Sequence, residues 1–323
     1  MKWNKQVFLL FFLLTFMALP SCKKIDNLAF KEIKVGTLNW NDVFFINEKE
    51  GYICGGKMYE LGLLSKTTDG GLTWSEPDSV LYKACYSLFF KNAQEGYIGG
   101  FDGLLGHTTD SARTFSFQNI PSYLPINDIQ ILPNNTGLLA LGSGFVDGSY
   151  AVSQSAPWPF IESPKDIHAF KACAILPNNI HVVAGYGTIL RSSNGGQNFI
   201  VVRQNGDYYT GMKFVNDSKG IAVGYQGQIL MTENTGSSWS VVKKMNHPFE
   251  TQDHFLAVDF YDDLHGFAVG ESGLMMGTSD GGYTWKKVKQ FTDKTLRSID
   301  MLSTNSGIIV AEKGSVFYFQ PQP

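Results

Sequence analysis

MKFVNDSKGIAVGYQGQILMTENTGSSWSVVKKM (residues 212–245) contains one full period of this chain. An apolar run, MKFV, meets a polar turn of Asn, Asp, Ser and Lys. A second run, GIAVG, leads into a glycine-bearing turn, QILMT makes a third, and SVVKKM follows TENTGSSW as a fourth. Short apolar runs punctuated by Gly, Asn and Asp read as strands of antiparallel hairpins. Four of them in about 40 residues make one small sheet.

The same order recurs in VFFINEKEGYICGG, LFFKNAQEGYIGG, IQILPNNTGLLALG, AILPNNIHVVAG, VDFYDDLHGFAVG and IDMLSTNSGIIVA. The copies align on Gly51, Gly96, Gly137, His181, Gly220, Gly266 and Gly307, spaced 39 to 46 residues apart. That is the period of one propeller blade. Seven copies predict an all-β, seven-bladed β-propeller of four-stranded antiparallel blades. Eight and six residues before the repeat position every copy is apolar, from Val43 and Phe45 to Ile299 and Met301. That parity is expected to pack between blades. Nine residues before it stand Asp42, Ser87, Asp128, Ala172, Gly211, Ala257 and Ser298, all short. They predict a crowded axis at which a long side chain of that parity would collide. His181, in the glycine position, is expected in a turn.

The last copy stops at SVFYF (315–319), with QPQP behind it and no fourth strand. FKEIKV (30–35) resembles the fourth strands of other copies, such as KKVKQ (286–290). The N-terminal segment is therefore expected to supply the outer strand of the last blade, which removes an open edge. Ahead of it, Lys2 and Lys5 precede the apolar run VFLLFFLLTFMAL (7–19). A bilayer span needs roughly 20 apolar residues, so this run suits a secretory signal instead. LPSC (19–22) resembles a bacterial lipobox, which implies cleavage before Cys22 and its acylation, a stable anchor when several chains are attached. The expected organisation is a signal peptide at 1–21, a lipidated linker at 22–29 and the propeller at 30–323. The expected location is the cell envelope, in the periplasm or at the outer membrane, with attachment through lipid only. Lys23 and Lys24 favour the periplasmic side.

Charged residues make up 17% of the chain and aromatic ones 14%, with 34 glycines, a composition suited to a rigid, turn-rich β protein. The net charge is −3 and falls further once Lys2 and Lys5 are removed. Nucleic acid is excluded as a partner, since no basic footprint exists. Cys54, Cys85 and Cys173 are an odd set whose pairing stays open. Their spacing matches no metal motif, and no cofactor or metal is expected. No motif points to a Ser/His/Asp or Cys/His nucleophile.

One string returns in five copies: TTDGGLTW (67–74), TTDSARTF (108–115), SSNGGQNF (192–199), TENTGSSW (232–239) and TSDGGYTW (278–285). A degraded form, SQSAPWPF, occupies 153–160. This is the Asp-box, or BNR repeat. Asp69, Asp110, Asn194, Asn234 and Asp280 can each accept hydrogen bonds from their own turn. Trp74, Phe115, Phe199, Trp239 and Trp285 can fold back and bury themselves, contributing roughly 1.5–3 kcal/mol each. An active site has no need of five copies around a ring, so the string is read as architecture.

With GIAVGYQGQILMTENTGSSWS and HGFAVGESGLMMGTSDGGYTW, the chain from about residue 30 to 319 resembles the photosystem II stability/assembly factor family. The resemblance implies a non-enzymatic propeller that binds a protein partner during assembly. The arginine-rich partner patch of that family has no counterpart, because the four arginines, Arg113, Arg191, Arg203 and Arg297, fall in different copies. The same scatter argues against a sialidase, which needs three converging arginines. The competing reading is a glycoside hydrolase or glycan-binding propeller. It would use the loop at 243–255 with His247, Glu250, Asp253 and His254, together with Glu271, if two carboxyl groups stood about 5 to 10 Å apart. A partner face is expected on the inter-blade loops and the turns between second and third strands, which are rich in the aromatics that anchor interfaces. Its candidates are Tyr86, Tyr208, Tyr209, Phe249, His254 and Arg297.

Overall fold

A computed structural model describes residues 27–144, 147–157, 159–163, 168–247 and 252–322. The expected signal peptide, the anchor Cys22, and Phe249 and Glu250 of the candidate sites lie outside them. The described residues form seven four-stranded antiparallel sheets, each a blade. In the fifth, Tyr209–Phe214, Gly220–Gly224, Ile229–Thr232 and Ser240–Lys243 pair in chain order.

The second strands, such as GIAVG and GFAVG, are buried along their whole length. A strand covered on both faces reads as continuously apolar rather than alternating. Here both faces meet a neighbouring blade. Ala222 packs with Val182 and Ala184 of the fourth blade, whereas Ile221 and Val223 pack with Phe255 and Ala268 of the sixth. The core is accordingly a set of inter-blade layers, one for each of the seven junctions.

The seventh blade is completed from the other end of the chain. Leu28–Lys34 pairs antiparallel with Ser315–Pro321, matching Phe30 with Phe319 and Ile33 with Val316. This strand starts at Leu28, within what the sequence suggested was linker, because Leu28 is itself buried in the junction with the sixth blade. Phe30 stacks on Phe291 of the preceding loop at 3.6 Å between ring centroids.

Two expectations need correction. The axis is not closed: the innermost strands leave a channel of about 410 Å³. Phe44, Phe89 and Lys213, two residues beyond the short position and on the same parity, line it without collision. His181 does not lie in a turn. It is buried within the strand Ile180–Gly185, opposite Ser192. Burial lowers its pKa to about 4, so it is held as neutral imidazole.

Candidate partner-binding site

The Asp-boxes form the end of the propeller opposite this site. Asp69 Oδ1 accepts from Thr67 Oγ1 and from the Thr73 amide, and Asp69 Oδ2 accepts from Thr73 Oγ1 at 2.6 Å. Thr67 Oγ1 in turn accepts from the Gly71 amide, and Trp74 Nε1 donates to Gly71 O. Asp110 and Asp280 repeat the set, and Asn194 and Asn234 keep the bonds through Oδ1. The hydroxyl of Thr114 and its amide hold the Asp110 carboxyl down at about 2. Gly71 sits at φ +84°, where a Cβ would press on the Ile308 side chain, so glycine is favoured here, although the second box carries Ala112 at the same position with φ +65°. Trp74, Trp239 and Trp285 each meet the apolar residue six before the repeat glycine edge-on, at interplanar angles of 77° to 88°. The carboxyl of Asp69 is thus spent on its own turn.

At the other end, all seven innermost strands carry the same irregularity. Pairing skips one residue between Trp40 and Asp42, Cys85 and Ser87, Ile126 and Asp128, and Phe170 and Ala172. It skips again between Tyr209 and Gly211, Phe255 and Ala257, and Leu296 and Ser298. A bulge leaves the extra residue unpaired and re-aims its side chain. The seven freed residues are Asn41, Tyr86, Asn127, Lys171, Thr210, Leu256 and Arg297, and all line the channel mouth, a cavity of about 430 Å³. Three of them stitch neighbouring blades: Asn41 Nδ2 donates to Cys85 O at 2.7 Å, Asn127 Nδ2 to Phe170 O and Thr210 Oγ1 to Phe255 O, both at 2.8 Å. Lys171 Nζ donates to Asn127 Oδ1 at 2.9 Å, and burial lowers its pKa to about 8.

The bulge has a sequence signal. Apolar residues fall six and eight before the repeat position, then eleven before it: Trp40, Cys85, Ile126, Phe170, Tyr209, Phe255 and Leu296. The apolar phase slips by one residue between them, and all seven are buried at 1% exposure or less. The slip decides which candidates reach the surface. Tyr86 and Arg297 sit at bulges and line the mouth together with Tyr208. Tyr209 sits on the core side of the slip; it is fully buried and bonds Gln228, so it cannot present its ring to a partner. His254 stacks on Tyr225, with ring centroids 4.5 Å apart. Around the mouth stand Met58, Phe101, Tyr208 and Tyr225, and beyond them the exposed Tyr59, Tyr82, Tyr123 and Tyr186. Amide bonds such as Tyr186 N to Ala169 O and Tyr225 N to Tyr208 O tie this end together.

Carboxylates occupy the channel below the mouth. Asp42 Oδ2 accepts from the Leu88 amide and Asp128 Oδ2 from the Cys173 amide, both at 2.8 Å. Asp259 Oδ2 accepts from the Met301 amide at 2.8 Å, and Asp259 Oδ1 is 2.7 Å from Lys213 Nζ. Burial raises Asp42 to about 6 and Asp128 to about 7; burial, then the Asp259 charge, raises Asp300 to about 8. Each acid bonds the next blade, which is a structural duty. In the loop proposed for glycan chemistry, Asp253 is buried against Lys243 at 3.3 Å and Lys287 at 2.7 Å. Glu271 Oε1 accepts from the Tyr225 hydroxyl at 2.9 Å. Neither lines the channel or its mouth. Among the described residues no group of three or more His, Cys, Asp or Glu side chains could hold a metal ion.

The family model for photosynthesis system II assembly factor YCF48 matches residues 23–144 and 232–318. The structure of YCF48 bound to D1 peptide superposes with a TM-score of 0.69 at 19% identity, covering 91% of this chain and 97% of its own. YCF48 from Cyanidioschyzon merolae gives 0.66 at 16%, covering 90% and 98%. The WD40 repeats of RRP9 give 0.71 at 10%, covering 91% and 97%. At such identities these likenesses show the fold alone. No curated protein sequence matches the chain.

Proposed function

Because this chain belongs to the photosynthesis system II assembly factor YCF48 family, we propose that it is a protein-binding assembly module, lipid-anchored at Cys22 and exported to the cell envelope. The observation that carries the reading is the channel mouth, where side chains freed by seven bulges stand inside a rim of Tyr and Phe. Aromatic rings around a desolvated centre are the usual anchors of protein interfaces. A YCF48 structure has been solved with a peptide bound, which supports a polypeptide as the ligand class. The family name carries no claim about photosynthesis for this chain. The first strand begins six residues after Cys22, a span of at most about 22 Å when extended. An acylated Cys22 would therefore hold the edge of the seventh blade close to the membrane.

Photo-crosslinking in the native envelope tests the reading. A benzophenone side chain placed at Tyr59 or Tyr186 should capture a polypeptide, and one at Leu72 or Tyr283, exposed on the Asp-box end, should not. Capture at neither end, or equally at both, overturns the assignment of this face.

A further inference from the structure

If the mouth binds a polypeptide, as proposed above, its unpaired side chains name the chemical group that it grips. Of the side chains freed by the bulges, Arg297 is the least satisfied. Its Nε is buried with no partner, and none of the ion pairs among the described residues includes its guanidinium. Glu271 and Glu312 act on it only through their charge. Lys171 has a single hydrogen bond, to the neutral Asn127 side chain, and no carboxylate partner. The Tyr86 hydroxyl lines the same cavity, close enough to Arg297 for the two to interact electrostatically. A half-buried cation without a counter-ion has lost part of its hydration with nothing in exchange, so two of them at one mouth point to a group that arrives from outside.

Their placement narrows that group. Arg297 belongs to the seventh blade and Lys171 to the fourth. Three blades apart in a ring of seven, they approach the axis from nearly opposite sides. One residue further along the strands the lining turns acidic, with Asp42 and Asp128. The lining is therefore basic at the lip and carries carboxyl groups below it, where Lys213 is paired with Asp259. A planar monoanion can be shared between a guanidinium fork and an ammonium at the lip. A dianionic phosphate would be pressed against Asp42 and Asp128, and a cation would meet Lys171 and Arg297 before it reached the acids.

We propose that the mouth holds one carboxylate of a bound polypeptide on the propeller axis, between Arg297 and Lys171, with the Tyr86 hydroxyl as a further donor. The carboxylate comes from the chain end or from an acidic side chain, and the test separates the two.

Small probes test this without any partner protein. Nitrogen-15 NMR of the folded mature chain follows the Arg297 Nε–H resonance, identified by its absence in Arg297→Met. N-acetylglycine presents a chain-end carboxylate, and N-acetylisoglutamine presents a side-chain one on a neutral backbone. N-acetylglycinamide and inorganic phosphate are the controls. A saturable shift is expected with one or both carboxylates, the tighter probe naming the source. No shift is expected with the amide, and Lys171→Met should weaken binding about tenfold, as loss of a charge-assisted bond does. The inference is overturned if neither carboxylate gives a saturable shift, if the amide matches them, if phosphate binds more tightly, or if Lys171→Met changes nothing. Neither cation has a counter-ion, so both Met variants should fold with an unchanged or higher Tm. Should Arg297→Met fail to fold, Arg297→Lys keeps the charge, loses the fork, and is expected to weaken the response of backbone amides at the mouth. Failure here leaves the crosslinking result standing, and absence of crosslinks leaves carboxylate binding standing.

Discussion

Asp300 of the last blade accepts a hydrogen bond from the backbone amide of Phe45 in the first, at 2.7 Å, across 255 residues of chain. Together with the pairing of Leu28–Lys34 onto Ser315–Pro321, it joins the two ends of the ring. Asp259 makes the equivalent bond to Met301 at the junction before it. Asp42 and Asp128 perform the same task from a position two residues earlier.

Replacing Asp300 with Leu leaves the Phe45 amide unpaired at a part-buried junction. The expected loss is about 1–3 kcal/mol of unfolding free energy, measured by chemical denaturation. Asp300→Asn keeps an acceptor and should lose less. Equal stability of the Leu variant and the parent would show that this bond does not support ring closure.

The channel acids make stability depend on pH in an unusual direction. An ordinary Asp titrates near 3.9, whereas Asp42, Asp128 and Asp300 are raised to about 6, 7 and 8. Their folded-state pKa values exceed the unfolded ones, so the native state binds more protons between these limits. Their contribution is most favourable below pH 4 and declines as pH rises to about 8. His181 has the opposite effect, since its folded pKa is lowered to about 4 from an ordinary value of about 6.5. Its contribution is complete above pH 6.5 and is lost as pH falls towards 4. Tm should fall between pH 6.5 and 8.5 at fixed ionic strength, and Asp128→Asn should flatten that fall. An unchanged slope in the variant would contradict the assignment.

Asp69→Ala removes the acceptor of three hydrogen bonds in the first Asp-box. The expected loss is about 1–2 kcal/mol, with Asp69→Asn intermediate because Asn194 and Asn234 already serve in that position. Gly71→Ala should cost more than is usual for a turn, as it combines a left-handed backbone with a clash against Ile308. Urea denaturation of the three variants gives the order, and a neutral Asp69→Ala would remove the fastener role from this turn.

Cys54, Cys85 and Cys173 are free and buried, and burial raises the Cys54 and Cys173 thiols well above their usual range. Thiolate is the reactive form. A colorimetric disulfide reagent should therefore find no fast thiol in the native described domain and three after denaturation. A thiol titrating within minutes in the folded protein would overturn this.

Blade number, blade order and the closing strand were legible because each rests on a local pattern repeated seven times. Short apolar strands and polar turns that return at a fixed period leave one way to bury every face. The identity of the Asp-box residues was legible for the same reason, since their hydrogen bonds close within four residues. The partner face was harder to read. Tyr86 and Tyr209 look alike as aromatic residues at the start of innermost strands, yet one lines the mouth and the other is fully buried. The difference is the single-residue phase slip, which takes effect only once each strand is paired with its neighbour.

By itself, then, the sequence determined a seven-bladed ring of four-stranded sheets, because the spacing of its apolar residues allows no other complete burial. Only the tertiary structure decided that seven bulges converge on one mouth, that Arg297 and Lys171 both line it without a counter-ion among the described residues, and that acids as far apart as Asp42 and Asp300 share one channel. These groups lie dozens to hundreds of residues apart in the chain. Their proximity to the axis, and so their charge and pairing, exists only when the circle is closed.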